Sequence, residues 1–433
     1  MSATRSLETR GDILRIRSIQ AVQSSLALNS ASTRLLHFGT SAVSAGGLER
    51  YLGSLLALGG GFRHALILEH DHPCEYASGW PVRYLSWSMD APNPSQESAV
   101  GRVLDELDGI PIFHSIPHPV ILKACRDRGR QAWMFVHGLS WWCPSGTRWF
   151  ARREEVCGIQ AGTVACTLRY HAMGCGGLRV RSLLEGLRRV SAGRSALAAA
   201  DRVLVASNYM RREAVHYGAP EARTHRVHLP SPFLHDEGPV PREAETPPVI
   251  LFAGRVTPVK GVALLVRAFA HMKQDARLIL AGTGIADRTV ASMVRRHPRS
   301  QRIEMTGHLG DSDVRRLMSR ASVVVVPSLW PEPFGLVGIE ALSMGRPVVT
   351  FAVGGIADWA LPDLGVFGVS RPEAALLAEG LDTVLREPVW RERARHMGPP
   401  WVARHHSHQA HMQELHDIVS AATGHPRAPR VAP

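Results

Sequence analysis

The chain has 433 residues, more than one ordinary hydrophobic core holds, which points to two domains. Hydrophobic residues make up 45% and charged residues 20%; this balance excludes disorder of the whole chain, and no apolar run approaches the ~18 residues of a membrane-spanning helix. The net charge of +12 raises nucleic acid and anionic membrane as partners.

Residues 1–32 show no clear period and read as a flexible leader, without the apolar core of a signal peptide. Arg34–Phe38 is a short apolar strand. After a loop of small polar residues, Gly46 and Gly47 open a helix with Leu48, Leu52, Leu55 and Leu56 at helical spacing. Strand, glycine turn and helix make the first half of a βαβ unit. Further strands are expected at Ala65–Leu68, Ile110–Phe113, Ala132–Val136, Val203–Ala206 and Arg226–Leu229, with helices around Val120–Arg126 and Tyr209–Tyr217. This series fills residues 33–235, with a cysteine-containing insertion at 139–180.

Residues 236–248 are rich in Pro and Glu and read as a linker. A second alternating series follows over 249–395. Its strands are Val249–Ala253, Arg277–Ala281, Arg302–Met305, Val323–Val326 and Pro347–Thr350, and its helices include Val262–Met272 and Asp313–Arg320. Each strand is almost continuously apolar, as for strands covered by helices on both faces. The fold class is therefore α/β: two doubly wound Rossmann-like domains facing a central cleft, with ligand expected at strand C-terminal ends. Residues 396–423 read as a C-terminal helix that carries His405, His406, His408, His411 and His416, and 424–433 as a flexible tail. Asp311 or Ser312 is expected to cap the helix that follows, not to hold a metal.

Only Lys123, Lys260 and Lys273 are lysines; the other basic residues are arginines. Between Lys123 and Arg194 the local balance is +9. No interleaved aromatics mark this stretch as an RNA-binding surface, so nucleic acid is not expected, and an anionic membrane or a lipid-linked substrate is the better reading. Four of the six cysteines, Cys143, Cys157, Cys166 and Cys175, lie in the insertion. The gaps between them hold 13, 8 and 8 residues, unlike the closely spaced pairs of structural zinc sites. They read as packed or redox-labile thiols, with a metal site as the alternative.

The strongest chemical signal is Pro331-Glu332-Pro333-Phe334-Gly335-Leu336-Val337-Gly338-Ile339-Glu340-Ala341. It sets two carboxylates eight positions apart across a loop-to-helix junction. Main-chain N–H groups at Phe334, Gly335 and Leu336 stand at a helix N-terminus, suited to sugar hydroxyls or phosphate oxygens. The second signal is Gly254-Arg255 followed by Lys260-Gly261, a planar fork and a point charge fit to neutralise a diphosphate. Gly282 and Gly284 end the next strand and would admit a base or ribose. Gly46 and Gly47 would let a helix N-terminus approach phosphate. His137 ends the strand Ala132–Val136 and would point into the same cleft.

With these residues in view, the chain resembles the retaining glycosyltransferases of family 4, the glycogen-synthase-like group with the GT-B fold. The resemblance covers about residues 33–420 and rests on Gly254-Arg255, Lys260-Gly261, the glutamate pair, Gly345-Arg346-Pro347-Val348-Val349 and Gly354-Gly355. It implies transfer of a hexose-type sugar from a UDP-, GDP- or ADP-sugar to a hydroxyl acceptor, a glycan or lipid-linked, with no cofactor and no metal required. By it, Arg255 and Lys260 bind the diphosphate, Glu332 contacts the donor sugar, Glu340 holds the ribose, and His137 meets the sugar near the reacting carbon. The C-terminal helix would cross back to the first domain. A cytoplasmic place, peripheral on the inner face of the cell membrane, follows from the charge. Departing from the family's Pro-Asn-Gly-Val, the segment before the linker reads Val227-His228-Leu229-Pro230-Ser231. A nucleotide-sugar epimerase and a non-catalytic nucleotide-sugar-binding regulator are the alternatives.

Overall fold

The computed structural model describes residues 33–39, 47–58, 61–68, 80–84, 94–177, 179–234 and 246–424. The leader, Gly46, most of the linker and the tail beyond Gly424 lie outside these residues. The chain divides into two compact units, Met1–Phe135 and Val136–Pro433.

The first unit is a parallel sheet with helices between its strands. It holds β1 (Arg34–Gly39), α1 (Gly47–Leu58), β2 (Arg63–Leu68), β3 (Val82–Tyr84), α2 (Pro94–Glu106), β4 (Ile110–Phe113), α3 (Pro119–Asp127) and β5 (Trp133–Val136), which reaches the unit boundary. The strand order is β3-β2-β1-β4-β5. Apart from His37 and His64, the interiors of β1, β2, β4 and β5 are apolar, as expected where neither face meets water. Helix α3 starts where Pro119 supplies a fixed φ and the His118 ring accepts from the Val120 N–H.

One polar feature interrupts this core. His37 on β1, His64 on β2 and His114, just after β4, are all buried. In the register Leu35 faces His64 and Phe38 faces Phe113, so the three imidazoles stand on one face of adjacent strands. His37 Nδ1 lies 3.0 Å from His114 Nε2, and His37 Nε2 lies 3.0 Å from His64 Nδ1. Both ring nitrogens of His37 are thus hydrogen-bonded, which is what makes its burial tolerable. Burial, with His64 adding to it, holds the His37 pKa well below the usual imidazole value.

The second unit begins with a two-stranded antiparallel hairpin, β6 (Trp149–Phe150) and β7 (Glu155–Val156), then α4 (Val164–Ala172) and α5 (Val180–Ala199). Next come β8 (Arg202–Val205), α6 (Asn208–His216) and β9 (Thr224–Arg226), which pairs parallel with β8. The strand expected at Arg226–Leu229 therefore lies earlier. Its later residues are held instead by the C-terminal helix.

The rest of this unit is built on β10 (Val249–Ala253), α7 (Val262–His271), β11 (Arg277–Ala281), α8 (Asp287–Arg295), β12 (Ile303–Gly307), α9 (Asp311–Arg320), β13 (Val323–Val326), α10 (Leu336–Ser343), β14 (Val348–Phe351), β15 (Val366–Val369) and α11 (Ala374–Arg386). The sheet is parallel in the order β12-β11-β10-β13-β14-β15. Strands β10, β13 and β14 are buried at every position. Each buried Val, Leu, Ile or Phe there contributes about 1.5–3 kcal/mol relative to exposure. Strand order reverses between β10 and β13, so their C-terminal ends flank the topological switch point where open α/β sheets bind ligands. Helix α9 is capped by Gly310, not by the side chain of Asp311 or Ser312, which lie in its first turn.

The expected C-terminal helix is two helices, α12 (Pro388–His406) and α13 (His408–Thr423), broken where the Ser407 hydroxyl accepts the Ala410 N–H and starts the second. Helices α12 and α13 together grip residues 228–229. Glu414 accepts from the His228 main chain and sits 2.5 Å from its Nδ1, His411 Nδ1 donates to the His228 carbonyl, and His406 Nδ1 to that of Leu229.

Burial lowers the pKa of His406 to about 3 and of His411 to about 4, against the opposing effect of those carbonyl bonds. The unfolded chain takes up these protons first, near pH 6.5, so the stability they lend is complete above that pH and is lost as pH falls. Each histidine should cost about 1.4 kcal/mol at about pH 5.5. Urea unfolding should therefore show at least about 2 kcal/mol less stability at pH 5.5 than at pH 7.5. A His406→Gln, His411→Gln chain should lose correspondingly less over the same interval.

Candidate active site

The two loops at the switch point are stitched together by main chain before any side chain acts. After β10, the segment Gly254–Lys260 ends in a single helical turn, Pro258–Lys260. After β13 comes Pro327–Gly335, which ends at the start of α10. The Leu329 N–H donates to the Val259 carbonyl across 2.8 Å. Gly261 has φ +71, and a Cβ there would lie 1.8 Å from the Pro327 carbonyl oxygen, so only glycine fits. This close approach brings Lys260 against Glu332.

The Lys260 ammonium donates to Glu332 Oε1 at 2.5 Å, and the Ser328 hydroxyl donates to the same oxygen at 2.6 Å. Lys260 also lies 5.9 Å from the centre of the Trp330 ring. Glu332 is only 4% exposed. Burial pushes its carboxyl up, but Lys260 and Ser328 outweigh burial and hold it below the usual carboxylate range. It is therefore a charged group at neutral pH, kept so by its partners.

The backbone that carries Glu332 is fixed at three successive carbonyls. Gly355 N–H donates to the Glu332 carbonyl at 2.7 Å, the Ser207 hydroxyl to Pro333 at 2.6 Å, and the Trp359 indole N–H to Phe334 at 2.7 Å. Asp358 in turn accepts the Asn208 N–H at the start of α6. Ser207, Ser328 and Trp359 were not among the residues singled out from sequence. Their only sequence signal is position: Ser207 and Ser328 directly follow strands, where loops begin.

The other expected site residues fall as follows. Arg255 leaves β10 immediately and is exposed. Glu340 lies on α10 and is buried, 1% exposed. Gly335, at φ +85, and Leu336 form the start of α10, whose first turn presents N–H groups. The Phe334 side chain is buried and faces the His406 ring, with centroids 5.3 Å apart. A Cβ on Gly282 or Gly284 would come within 1.9 Å of the Gly254 carbonyl oxygen or 2.3 Å of that of Val256. These two glycines thus serve the chain's own backbone packing, whatever binds beside them. His137 follows β5, half-buried, and burial lowers its pKa to about 3, so it is neutral. Gly47 begins α1 in the first unit.

Cys143, Cys157, Cys166 and Cys175 line one cavity in the insertion. All are reduced thiols, and burial pushes those of Cys157, Cys166 and Cys175 up, the last to about 12. They are not activated nucleophiles. Among the described residues, no three His, Cys, Asp or Glu side chains are already closed to metal-binding spacing.

This geometry can be set beside known proteins. Residues 236–399 match the family model of the glycosyl transferases group 1. That span contains Arg255, Lys260, Glu332 and Glu340. An uncharacterized glycosyltransferase of Methanocaldococcus jannaschii is 32% identical over 146 residues, 33% of this chain and 37% of that one. The alpha-D-kanosaminyltransferase of Streptomyces kanamyceticus is 28% identical over 227 residues, 49% of this chain and 57% of that one. The chain thus spans from about a third to just over half the length of these curated relatives. Anabaena HepE, solved in complex with UDP, superposes with a TM-score of 0.68 at 16% identity, covering 90% of this chain and all of that one. WaaG, a glycosyltransferase involved in lipopolysaccharide biosynthesis, superposes with a TM-score of 0.60 at 17% identity, covering 90% of this chain. The fold is that of the GT-B glycosyltransferases.

Lys260→Met would leave a buried carboxylate without its cation. It should reduce stability by about 3 kcal/mol at neutral pH. The deficit relative to wild type should shrink as pH is lowered through the carboxylate range, because a protonated Glu332 needs no cation. Parallel urea titrations of the two chains at several pH values measure this.

Proposed function

We propose that the chain is a retaining glycosyltransferase that moves a hexose-type sugar from a nucleotide diphosphate sugar to a hydroxyl of a glycan or lipid-linked acceptor. The observation that carries this is the Lys260–Glu332 pair at the switch point of the sheet, beside exposed Arg255 and the first turn of α10. HepE has been solved with UDP and with UDP-glucose, which makes UDP-sugars the first donors to test, ahead of GDP- and ADP-sugars.

In the reaction, the bond between the anomeric carbon and the diphosphate oxygen breaks. Arg255, Lys260 and the α10 N–H groups draw the developing charge onto the leaving diphosphate. The acceptor oxygen bonds to the anomeric carbon from the face the diphosphate leaves, so configuration is retained. Its proton passes to the departing diphosphate. Neither Glu332 nor Glu340 becomes a covalent nucleophile, in contrast to the carboxylate pair of a retaining glycoside hydrolase. Glu332 hydrogen-bonds the donor sugar, Glu340 the ribose, and neutral His137 faces the sugar near the reacting carbon. Since the cationic groups come from the protein, the scheme calls for no metal.

Arg255→Ala tests the assignment, since the residue is exposed and outside the core. Its turnover of the preferred nucleotide-sugar, followed by mass analysis of product, should fall by about 10²–10³ with an unchanged unfolding midpoint. Near-normal turnover would overturn the assignment.

The acceptor side is proposed to dock on an anionic membrane. No helix among the described residues is long and apolar enough to cross one. On α4, however, Val164 and Leu168 share a face and are 76% and 74% exposed, and on α5 Val180 and Leu184 repeat the pattern beside exposed Arg179, Arg181 and Arg188. Apolar pairs next to arginines fit the interfacial region of an anionic bilayer. Arg189 is excluded from this surface, because it is half-buried and donates to the Pro144 carbonyl. Reversing Arg179, Arg181 and Arg188 to Glu should abolish co-sedimentation with phosphatidylglycerol vesicles; retention at wild-type level would count against docking.

A further inference from the structure

We propose that Cys143, Cys157, Cys166 and Cys175 bind one zinc ion as four thiolates, a structural site that clasps the insertion and is separate from the transfer chemistry. Spacing in the sequence argued against this, because no two of the cysteines form a close pair. The fold removes that objection by bringing all four to one cavity. Each arrives from a different local structure. Cys143 follows a single helical turn whose Leu139 carbonyl accepts its N–H. Cys157 leaves the β6–β7 hairpin, its N–H bonded to the Arg148 carbonyl at 2.7 Å. Cys166 stands in the first turn of α4, where its N–H donates to the capping Thr163 hydroxyl. Cys175 lies just past the end of α4, its N–H bonded to the Tyr170 carbonyl. A helical turn, a hairpin and the two ends of α4 thus bring four sulfurs to one cavity.

Two further observations fit a thiolate site. The Arg148 main-chain N–H donates to Cys143 Sγ at 3.4 Å, the kind of bond that stabilises negative sulfur. Arg148 reaches it at φ +48, a backbone region few side-chain-bearing residues adopt. Arg148 and Arg169 also line the cavity; the Arg148 guanidinium is already paired with Glu213, so Arg169 is the one to offset the net charge of two minus that four thiolates around a divalent ion would leave. Binding breaks four S–H bonds, forms four Zn–S bonds and releases four protons to solvent. Among the described residues no group of three or more His, Cys, Asp or Glu side chains is arranged to hold a metal ion; zinc itself must therefore draw the four sulfurs together, as metal binding and local folding are coupled in small thiolate sites. Four soft sulfur ligands select zinc over oxygen-loving cations.

The test uses the full chain, purified under reducing conditions without chelator and then supplied with zinc. Elemental mass spectrometry should find one zinc per chain in the wild type and in Cys125→Ser, and almost none in Cys157→Ser, Cys166→Ser. If that double variant fails to fold, alkylation of the wild type decides: intact mass should show four thiols shielded while zinc is bound and released by a strong chelator. Absence of zinc with all thiols equally reactive, iron with acid-labile sulfide in its place, or disulfides joining these four cysteines would each overturn the proposal. None of these readouts depends on transferase activity, so the site and the proposed function stand or fall separately.

Discussion

The contact between Lys260 and Glu332 joins the two loops that flank the switch point of the second unit's sheet. A carboxylate so deeply buried is tolerable only with its cation and the Ser328 hydroxyl beside it. The pairing requires the loops to approach within main-chain hydrogen-bonding distance, which Gly261 permits and the Leu329–Val259 bond fixes. The charge of the site, its geometry and its stability are therefore one constraint. In the proposed reaction, an arriving diphosphate would meet a lysine already partnered and would share it with Glu332.

The carbonyls of Glu332, Pro333 and Phe334 extend that constraint outward. Their donors come from the segment after β14, which supplies both Gly355 and Trp359, and from Ser207 just before α6, so one turn of chain is held from two sides. Ser207 belongs to the stretch before the linker, and α13 clasps His228 of the same stretch. The loop that carries Glu332 is thereby tied to parts of the chain remote in sequence.

Much of this was legible in the sequence where one physical rule dominates. Strands β10, β11, β13 and β14 announce themselves because burial on both faces demands unbroken apolar runs. Strand β15 escaped because Phe367 and Gly368 are partly exposed and the run is broken. The Arg255, Lys260, Glu332 and Glu340 set stood out in the sequence, but the direct bond between Lys260 and Glu332 did not, since it depends on two loops 72 positions apart meeting. Asp311 looked like a cap by residue type, yet the helix starts one residue earlier and takes it into the first turn. The convergence of the four cysteines was invisible for the same reason: long gaps hide what a hairpin and a short helix fold together. Within the basic stretch, Arg189 looks like a surface cation in sequence and is a structural donor in the fold.

The buried histidines of the first unit lead to a different consequence. A neutral imidazole carries one N–H and one bare nitrogen, and His37 uses both. If it donates toward His114, it must accept from His64, and the reverse holds equally. The hydrogens of the two contacts therefore point the same way along the row, giving β2, β1 and β4 a sense of direction that heavy-atom positions alone do not reveal. Turning one ring over would set donor against donor or leave a bare nitrogen facing another. The three side chains thus change tautomer together or not at all, and a core that looks static holds a two-state order in its protons.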